Sequence, residues 1–182
     1  MICSRLLYVF ERLILEGVVL GGLKMYPCEI KQQAAQQALS IRFRAAVQDL
    51  PKHFGRVYGQ IMQYLETLGE QHTGAFAAYY NMDMQYLDVE AGCPVLKPLP
   101  GSGEIKATVI RGGTVAVCHY TGPYDAMPPV YEQLMQFVKE QGYVINGPAY
   151  EWYLNGPDEV PPEQLKTDIV LPVMVIKEGA TV

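Results

Sequence analysis

Apolar and polar positions along this chain follow two periods in turn. Leu39, Ile41 and Phe43 interleave with Ser40, Arg42 and Arg44, the period-two pattern of a strand. The period then changes. Phe54, Val57, Tyr58, Ile61, Met62, Leu65 and Leu68 recur at spacings of three and four, which predicts an amphipathic helix. Asp49 and Pro51 mark its entry, with Asp49 as the candidate cap, and Gly69 marks its stop. Extended stretches run from Ala75 to Asn81 and from Met84 to Val95, with a polar turn between them. After a Pro- and Gly-rich link the order recurs. Ile105 to Arg111 and Thr114 to Tyr120 read as strands around a Gly112-Gly113 turn, a hairpin signal. A helix from Val130 to Gln141 follows, then strands Ala149 to Leu154 and Thr167 to Ile176, with an insertion from Asn155 to Leu165.

The recurrence is also literal. YGQIMQYLETLG (Tyr58 to Gly69) is echoed by YEQLMQFVKEQG (Tyr131 to Gly142), 73 positions on. At that offset Tyr58, Gln60, Met62, Gln63 and Gly69 fall on Tyr131, Gln133, Met135, Gln136 and Gly142. Gly74 falls on Gly147 and Tyr80 on Tyr153. The chain therefore divides into an extension (1–24) and one domain (25–182). That domain holds two strand–helix–strand–strand repeats, about 27–95 and 105–178, joined by a linker over 96–104. One helix per several strands predicts an α+β fold: an antiparallel sheet with pseudo-two-fold symmetry, helices on one face and a ligand groove on the other. The copies differ at one position of interest, where Ala78 in the first is matched by Glu151 in the second.

Strand alternation sorts the candidates for that groove. Glu151 and Tyr153 share a face of their strand. Val115 and Val117 are taken as the helix-facing core, which leaves Ala116, Cys118 and Tyr120 on the open face. The matching face of the first copy carries Phe76, Ala78 and Tyr80. A glutamate on a strand is ordinarily a solvated surface group. Glu151 instead sits in a run of aromatic and small residues, with no Lys or Arg within four positions. A carboxylate among aromatic rings suits an organic cation, each ring face adding about 0.5–2 kcal/mol. Buried alone, the same carboxyl has its pKa raised and can serve as a general base. Cys118 and His119, being neighbours on one strand, point to opposite faces and form no nucleophile pair.

Composition narrows the partners. The net charge is −5 and no basic run occurs, which argues against nucleic acid and leaves room for a cationic ligand. Among 182 residues there are 13 tyrosines and one tryptophan, an excess of rings with polar tips suited to a pocket wall. Cys3, Cys28, Cys93 and Cys118 are scattered, without a CxxC pair, and read as free thiols of a reduced cytoplasm. His53, His72 and His119 show no metal-ligand spacing, so neither metal nor cofactor is expected. Leu6 to Leu23 is apolar but broken by Glu11, Arg12 and Glu16, which fits neither a membrane span nor a signal peptide. It reads as a short amphipathic helix, or as translation from a start called ahead of Met25. A homodimer, through a sheet edge or this helix, stays open.

YTGPYDAMPPVYEQL (Tyr120 to Leu134) and GPAYEWYLNGPDEVPPEQLKTDIVLPV (Gly147 to Val173) resemble the GyrI-like small-molecule-binding domain, the effector-binding domain of AraC- and MerR-type regulators. The carrying pattern is G-P-Y before the second helix, then P-x-x-E-x-Y-L, an N/D-P turn, and T-[DE]-I-x-x-P-V. YLDVEAGCPV (Tyr86 to Val95) resembles the end of the family's first half. The resemblance implies a groove between two strand–helix–strand–strand units. It implies that Glu151 corresponds to the glutamate that faces aromatic cations in multidrug-sensing members. It also implies an alternative, since some stand-alone members resemble hydrolases of cyclopropane-bearing compounds that use that glutamate with aromatic neighbours. A DNA-binding half is not expected here, and Tyr120 stands where the family often has His. The expectation is a stand-alone binder of hydrophobic, cationic small molecules, for sequestration or sensing. Glu151, Tyr153, Tyr120, Tyr80, Phe76 and Cys118 are the expected contacts. The enzymatic alternative uses Glu151 with Tyr120 or Tyr153, and a third is a protein-interaction role such as inhibiting a topoisomerase.

Overall fold

The computed structural model describes residues 19–20 and 23–175 of the chain. The helix expected over the N-terminal extension lies outside the described residues, apart from a short ladder pairing Val19 with Lys24 and Leu20 with Leu23. The domain proper runs β1 (Cys28–Gln33), β2 (Gln36–Ala45), α1 (Leu50–Leu68), β3 (Ala75–Tyr79), β4 (Leu87–Val95), β5 (Lys106–Ile110), β6 (Gly113–Thr121), α2 (Pro128–Glu140), β7 (Tyr143–Ile145), β8 (Ala149–Tyr153) and β9 (Lys166–Val175). Both helices start with Pro in the first turn, where its missing N–H costs no bond. Gly69 ends α1 at φ 66°, a left-handed position that a side chain disfavours. Asp49 precedes α1 but makes no capping hydrogen bond, against expectation.

These elements form an α+β fold with a mostly antiparallel sheet of nine strands. The order is β1-β6-β9-β8-β3-β4-β2-β5, with β7 paired to the end of β9. Outward from the central β8–β3 pair, one side runs β9, β6, β1 and the other runs β4, β2, β5. Each edge strand thus sits beside the opposite half of the chain. The Gly112-Gly113 hairpin is the first correction: β5 pairs with β2, and β6 with β1 and β9, never with each other.

The reason is a crossing. β1 is one edge of the sheet order and β2 lies one strand in from the other, yet only Ala34 and Ala35 separate them. Two residues reach only about 7 Å. The sheet therefore curls until its ends meet where these residues pass Arg111 and Gly112. A Cβ on Gly112 would lie 2.6 Å from the Ala35 nitrogen and 2.8 Å from the Gln33 carbonyl oxygen. Only a residue without one fits there.

Register identifies the helix-bearing face. Directly opposed residues share a face, and one row runs Ile41, Ala91, Ala77, Glu151, Ile169, Cys118, Cys28 across seven strands. At one end α1 buries Val57, Ile61 and Leu65 against Leu39, Ile41, Ala91 and Cys93. At the other α2 buries Val130, Leu134 and Val138 against Ala116, Cys118, Ile169 and Leu171. Each such aliphatic side chain contributes about 1.5–3 kcal/mol by leaving water. The expected assignment of faces in β6 is therefore reversed. Ala116, Cys118 and Tyr120 lie under α2, while Val115 and Val117 point away from it and pack on Val170, Tyr150 and Trp152. That second face is no open groove. Ala38, Phe76, Ala78, Ile110, Tyr150 and Trp152 fill it.

Two glycine substitutions test this account. Gly112→Ala is expected to destabilise by about 2 kcal/mol or more, because backbone atoms cannot yield to the new methyl. Gly59→Ala, in the interior of α1 with nothing within 4 Å, is expected to stabilise by about 0.5–1 kcal/mol. Urea unfolding of the two variants decides; equal stabilities would contradict the crossing.

Candidate functional site: a carboxylate held by three tyrosines

Glu151 lies at the middle of the sheet, on its helix face, between the strips covered by α1 and α2. It is 5% exposed. Its carboxylate accepts three hydrogen bonds: from the Tyr131 hydroxyl at 2.6 Å, Tyr153 at 2.7 Å and Tyr79 at 3.2 Å. Tyr131 comes from α2, Tyr79 from β3 and Tyr153 from β8 itself, so three elements converge on one side chain. Around this core the aromatic wall continues. Phe54 of α1 meets Tyr153 edge-on at 6.3 Å, and Tyr124, from the turn before α2, meets it from another side at 5.6 Å. Tyr58 of α1 donates to the Phe76 carbonyl at 2.9 Å, which fixes its ring beside Phe54.

The electrostatics are unusual for a buried acid. Among the described residues no Lys, Arg or His is ion-paired with Glu151. Burial pushes its carboxyl pKa up from the ordinary 4.5, and the three tyrosine hydroxyls pull the other way. The tyrosines respond in turn. Tyr79, Tyr131 and Tyr153 are held well above the usual phenol value by burial first and then by the adjacent carboxylate, so they stay protonated donors. Hydrogen-bond donors are thus supplied without a compensating positive charge. A carboxylate in this state can pair with a cation that brings no donors of its own, or accept a proton from water.

The expected site residues divide accordingly. Glu151 and Tyr153 are together. Tyr120 is buried and donates to the Pro123 carbonyl at 2.8 Å, packed edge-on to Tyr26 at the α2 end of the sheet. Cys118 is fully buried beneath α2. Phe76 and Tyr80 belong to the opposite face. Phe76 packs on Trp152 at 5.6 Å, and Tyr80 donates to Glu90 at 2.6 Å under the guanidinium of Arg42. These four do not join Glu151.

Sequence reasoning missed Tyr79, Tyr131, Tyr124 and Phe54, and the signal for two of them was present. Gly69 and Gly142 are 73 positions apart, but Asn81 and Asn155 are 74 apart, so one extra residue enters the second copy before β8. A slip of one residue moves every side chain to the other face. Allowing for it, Tyr79 matches Tyr153, and the residue opposite Glu151 is Ala77 rather than Ala78. Tyr58 and Tyr131 then form a second matched pair, one on each helix.

Other features lie elsewhere. A surface groove of about 380 Å³, lined by Gln60, Gln63, Tyr64, Thr67 and residues 102–105, sits outside α1, apart from Glu151. No group of His, Cys, Asp and Glu among the described residues is placed to hold a metal, and no described helix is long and apolar enough to cross a membrane.

Residues 26–174 match the family described as GyrI-like small molecule binding domain. The fold is similar to the crystal structure of the EcmrR C-terminal domain, with 24% identity and a TM-score of 0.76 over 84% of this chain and 99% of that one. EcmrR in its DNA complex aligns at 23% identity and a TM-score of 0.75, over 96% of this chain; the present chain spans 65% of its length. A hydrolase from Listeria innocua shares the fold at 14% identity and a TM-score of 0.59, over 81% and 91% of the two chains. SAV2435 bound to tetraphenylphosphonium does so at 13% identity and a TM-score of 0.54, over 82% and 94%. No curated protein matches the chain.

The raised carboxyl has a consequence for stability. Below 4.5 Glu151 is protonated in both folded and unfolded chains, and its full contribution is present. As pH rises above 4.5 the unfolded chain ionises first, so stability is lost up to the raised folded value and is level thereafter. Glu151→Gln removes this loss. Urea unfolding at pH 4, 6 and 8 is expected to show the variant gaining on the wild type as pH increases. A difference that is flat or falls with pH would contradict the burial argument.

Proposed function

Because this chain belongs to the GyrI-like small-molecule-binding domain family, we propose that it binds lipophilic organic cations in the cleft between α1 and α2, with Glu151 as counter-charge. One observation carries the reading: a buried carboxylate whose hydrogen-bonding needs are met by three tyrosines while its charge is not. A phosphonium or quaternary ammonium ion offers no N–H or O–H, so it would not compete for those bonds. It would supply the missing charge and lay its substituents against the rings of Tyr79, Tyr124, Tyr131 and Tyr153. Such a cation is the ligand of SAV2435, which supports the choice of probe. Binding of this kind serves sequestration or sensing of the compound.

Titration calorimetry with tetraphenylphosphonium tests the proposal. Glu151→Gln is expected to weaken binding about tenfold or more, the equivalent of about 1.4 kcal/mol. The isosteric anion tetraphenylborate is expected not to bind the wild type. Equal affinity of wild type and Glu151→Gln for the cation would remove the charge role.

A second reading keeps the same carboxylate as a base. Its raised pKa, with tyrosine hydroxyls at 2.6 and 2.7 Å, suits proton abstraction from a water that attacks a strained carbon, a tyrosine donating to the opening ring. On this reading Tyr153 or Tyr131, both hydrogen-bonded to Glu151, would be the donor. Incubation with cyclopropane-bearing electrophiles is expected, on this reading, to give many turnovers per protein. Consumption limited to one equivalent would remove it.

A further inference from the structure

Beneath α2, apart from the buried tyrosine cluster, two thiols stand directly across from one another. Cys28 on β1 and Cys118 on β6 are opposed in register. The His119 N–H donates to the Pro27 carbonyl at 2.9 Å, which makes Pro27–His119 the hydrogen-bonded pair and Cys28–Cys118 the neighbouring non-hydrogen-bonded one. Opposed Cα atoms lie about 4.5 Å apart in such a pair, within the roughly 4.4–6.8 Å that a disulfide spans. Both side chains pack toward α2. The Gln133 side-chain amide donates to the Cys28 sulfur at 3.5 Å. It also donates to the Tyr26 carbonyl at 2.7 Å and accepts from the Tyr26 N–H at 3.0 Å, so the strand leading into β1 is clamped to α2.

The pair is asymmetric in a useful way. Cys28 is half-buried and Cys118 fully buried. The neighbouring Cys118 thiol and the Gln133 amide hold the Cys28 thiol below its usual value, while the Cys28 thiol, with burial, holds Cys118 above it. Cys93 is the internal comparison: buried, and pushed up to about 12 by burial, the sole cause acting on it.

We propose that Cys28 and Cys118 are a dithiol modification site, closed to a disulfide by low-molecular-weight disulfides of the glutathione class. The Cys28 thiolate attacks one sulfur of the oxidant, forming a mixed disulfide and expelling one reduced thiolate, which takes up a proton. Cys118 then loses its proton to the solvent, attacks the Cys28 sulfur and expels the second thiol. Two protein thiols are oxidised and one external disulfide is reduced to two thiols. The bond would fix the edge strand β1 to β6 under α2, the helix that carries Tyr131. Cys118 and Glu151 lie two strands apart in one cross-strand row, with Ile169 between them.

The test treats the full chain with oxidised glutathione and maps the cysteines by mass spectrometry. In the wild type, peptides containing Cys28 and Cys118 are expected to be joined, with two hydrogens lost and no glutathione retained. Cys118→Ala is expected to keep a stable glutathione adduct on Cys28, and Cys28→Ala to leave Cys118 unmodified. Where Cys118→Ala fails to fold, the wild-type arm decides alone. The proposal is overturned if Cys28 stays unmodified, retains glutathione in the wild type, or joins Cys3, Cys93 or a second copy instead.

Discussion

Two short junctions govern this molecule. Ala34-Ala35 and Arg111-Gly112 each connect an edge strand to the strand beside the far edge of the sheet order, and neither is long enough to cross open space. The sheet has to curl, and the curl decides which face holds what. The inner face packs Phe76, Tyr150 and Trp152 together with Ala38, Ile110, Val115, Val117 and Val170. The outer face is covered by two helices, each over its own half. What is left between them is the strip over the β3–β8 pair, and Glu151 is at its centre. The position of the acid is thus a consequence of topology, reached without reference to ligands.

That strip explains how the buried acid is tolerated. Taking a lone carboxylate out of water costs several kcal/mol unless its lone pairs are satisfied. Three tyrosine hydroxyls do this from three elements, and each phenol keeps its proton because burial, and after it the neighbouring charge, makes ionisation harder. The arrangement is self-reinforcing. The acid keeps the tyrosines protonated, and the protonated tyrosines lower the cost of the acid.

The helices were legible because their period of three to four, opening prolines and closing glycines agreed at every level. Faces of strands were not. In β6 both Val115–Val117 and Ala116–Cys118 are buried, so alternation carries no contrast between core and solvent and the parity is a guess. The supposed hairpin failed for a different reason. Gly112 is small because another backbone passes it, and sequence does not distinguish that need from a turn. The site was half legible: Glu151 stood out by its aromatic neighbours, but one inserted residue ahead of β8 shifted its partners by one position. That turned Tyr79 into Tyr80 and exchanged the sheet face, which is why Phe76 and Tyr80 lie elsewhere; Cys118 and Tyr120 share the face of Glu151 but lie two strands away, beneath α2.

The choice of tyrosine over a basic partner has a physical meaning for the proposed ligand. A Lys or Arg at the place of Tyr131 would satisfy the carboxylate and also cancel its charge, leaving an apolar site with no preference for cations. Tyrosine separates the two tasks. Its hydroxyl meets the directional need of the acid, its ring forms the apolar wall, and the net charge is left for the ligand to neutralise. Recognition of this kind constrains charge strongly and shape weakly, because ring faces have no fixed hydrogen-bond geometry to be matched. On the proposed reading, a site of this kind would admit a set of chemically unrelated lipophilic cations. An equally greasy anion would be excluded, since it would place two like charges in a low-dielectric site where repulsion goes unscreened.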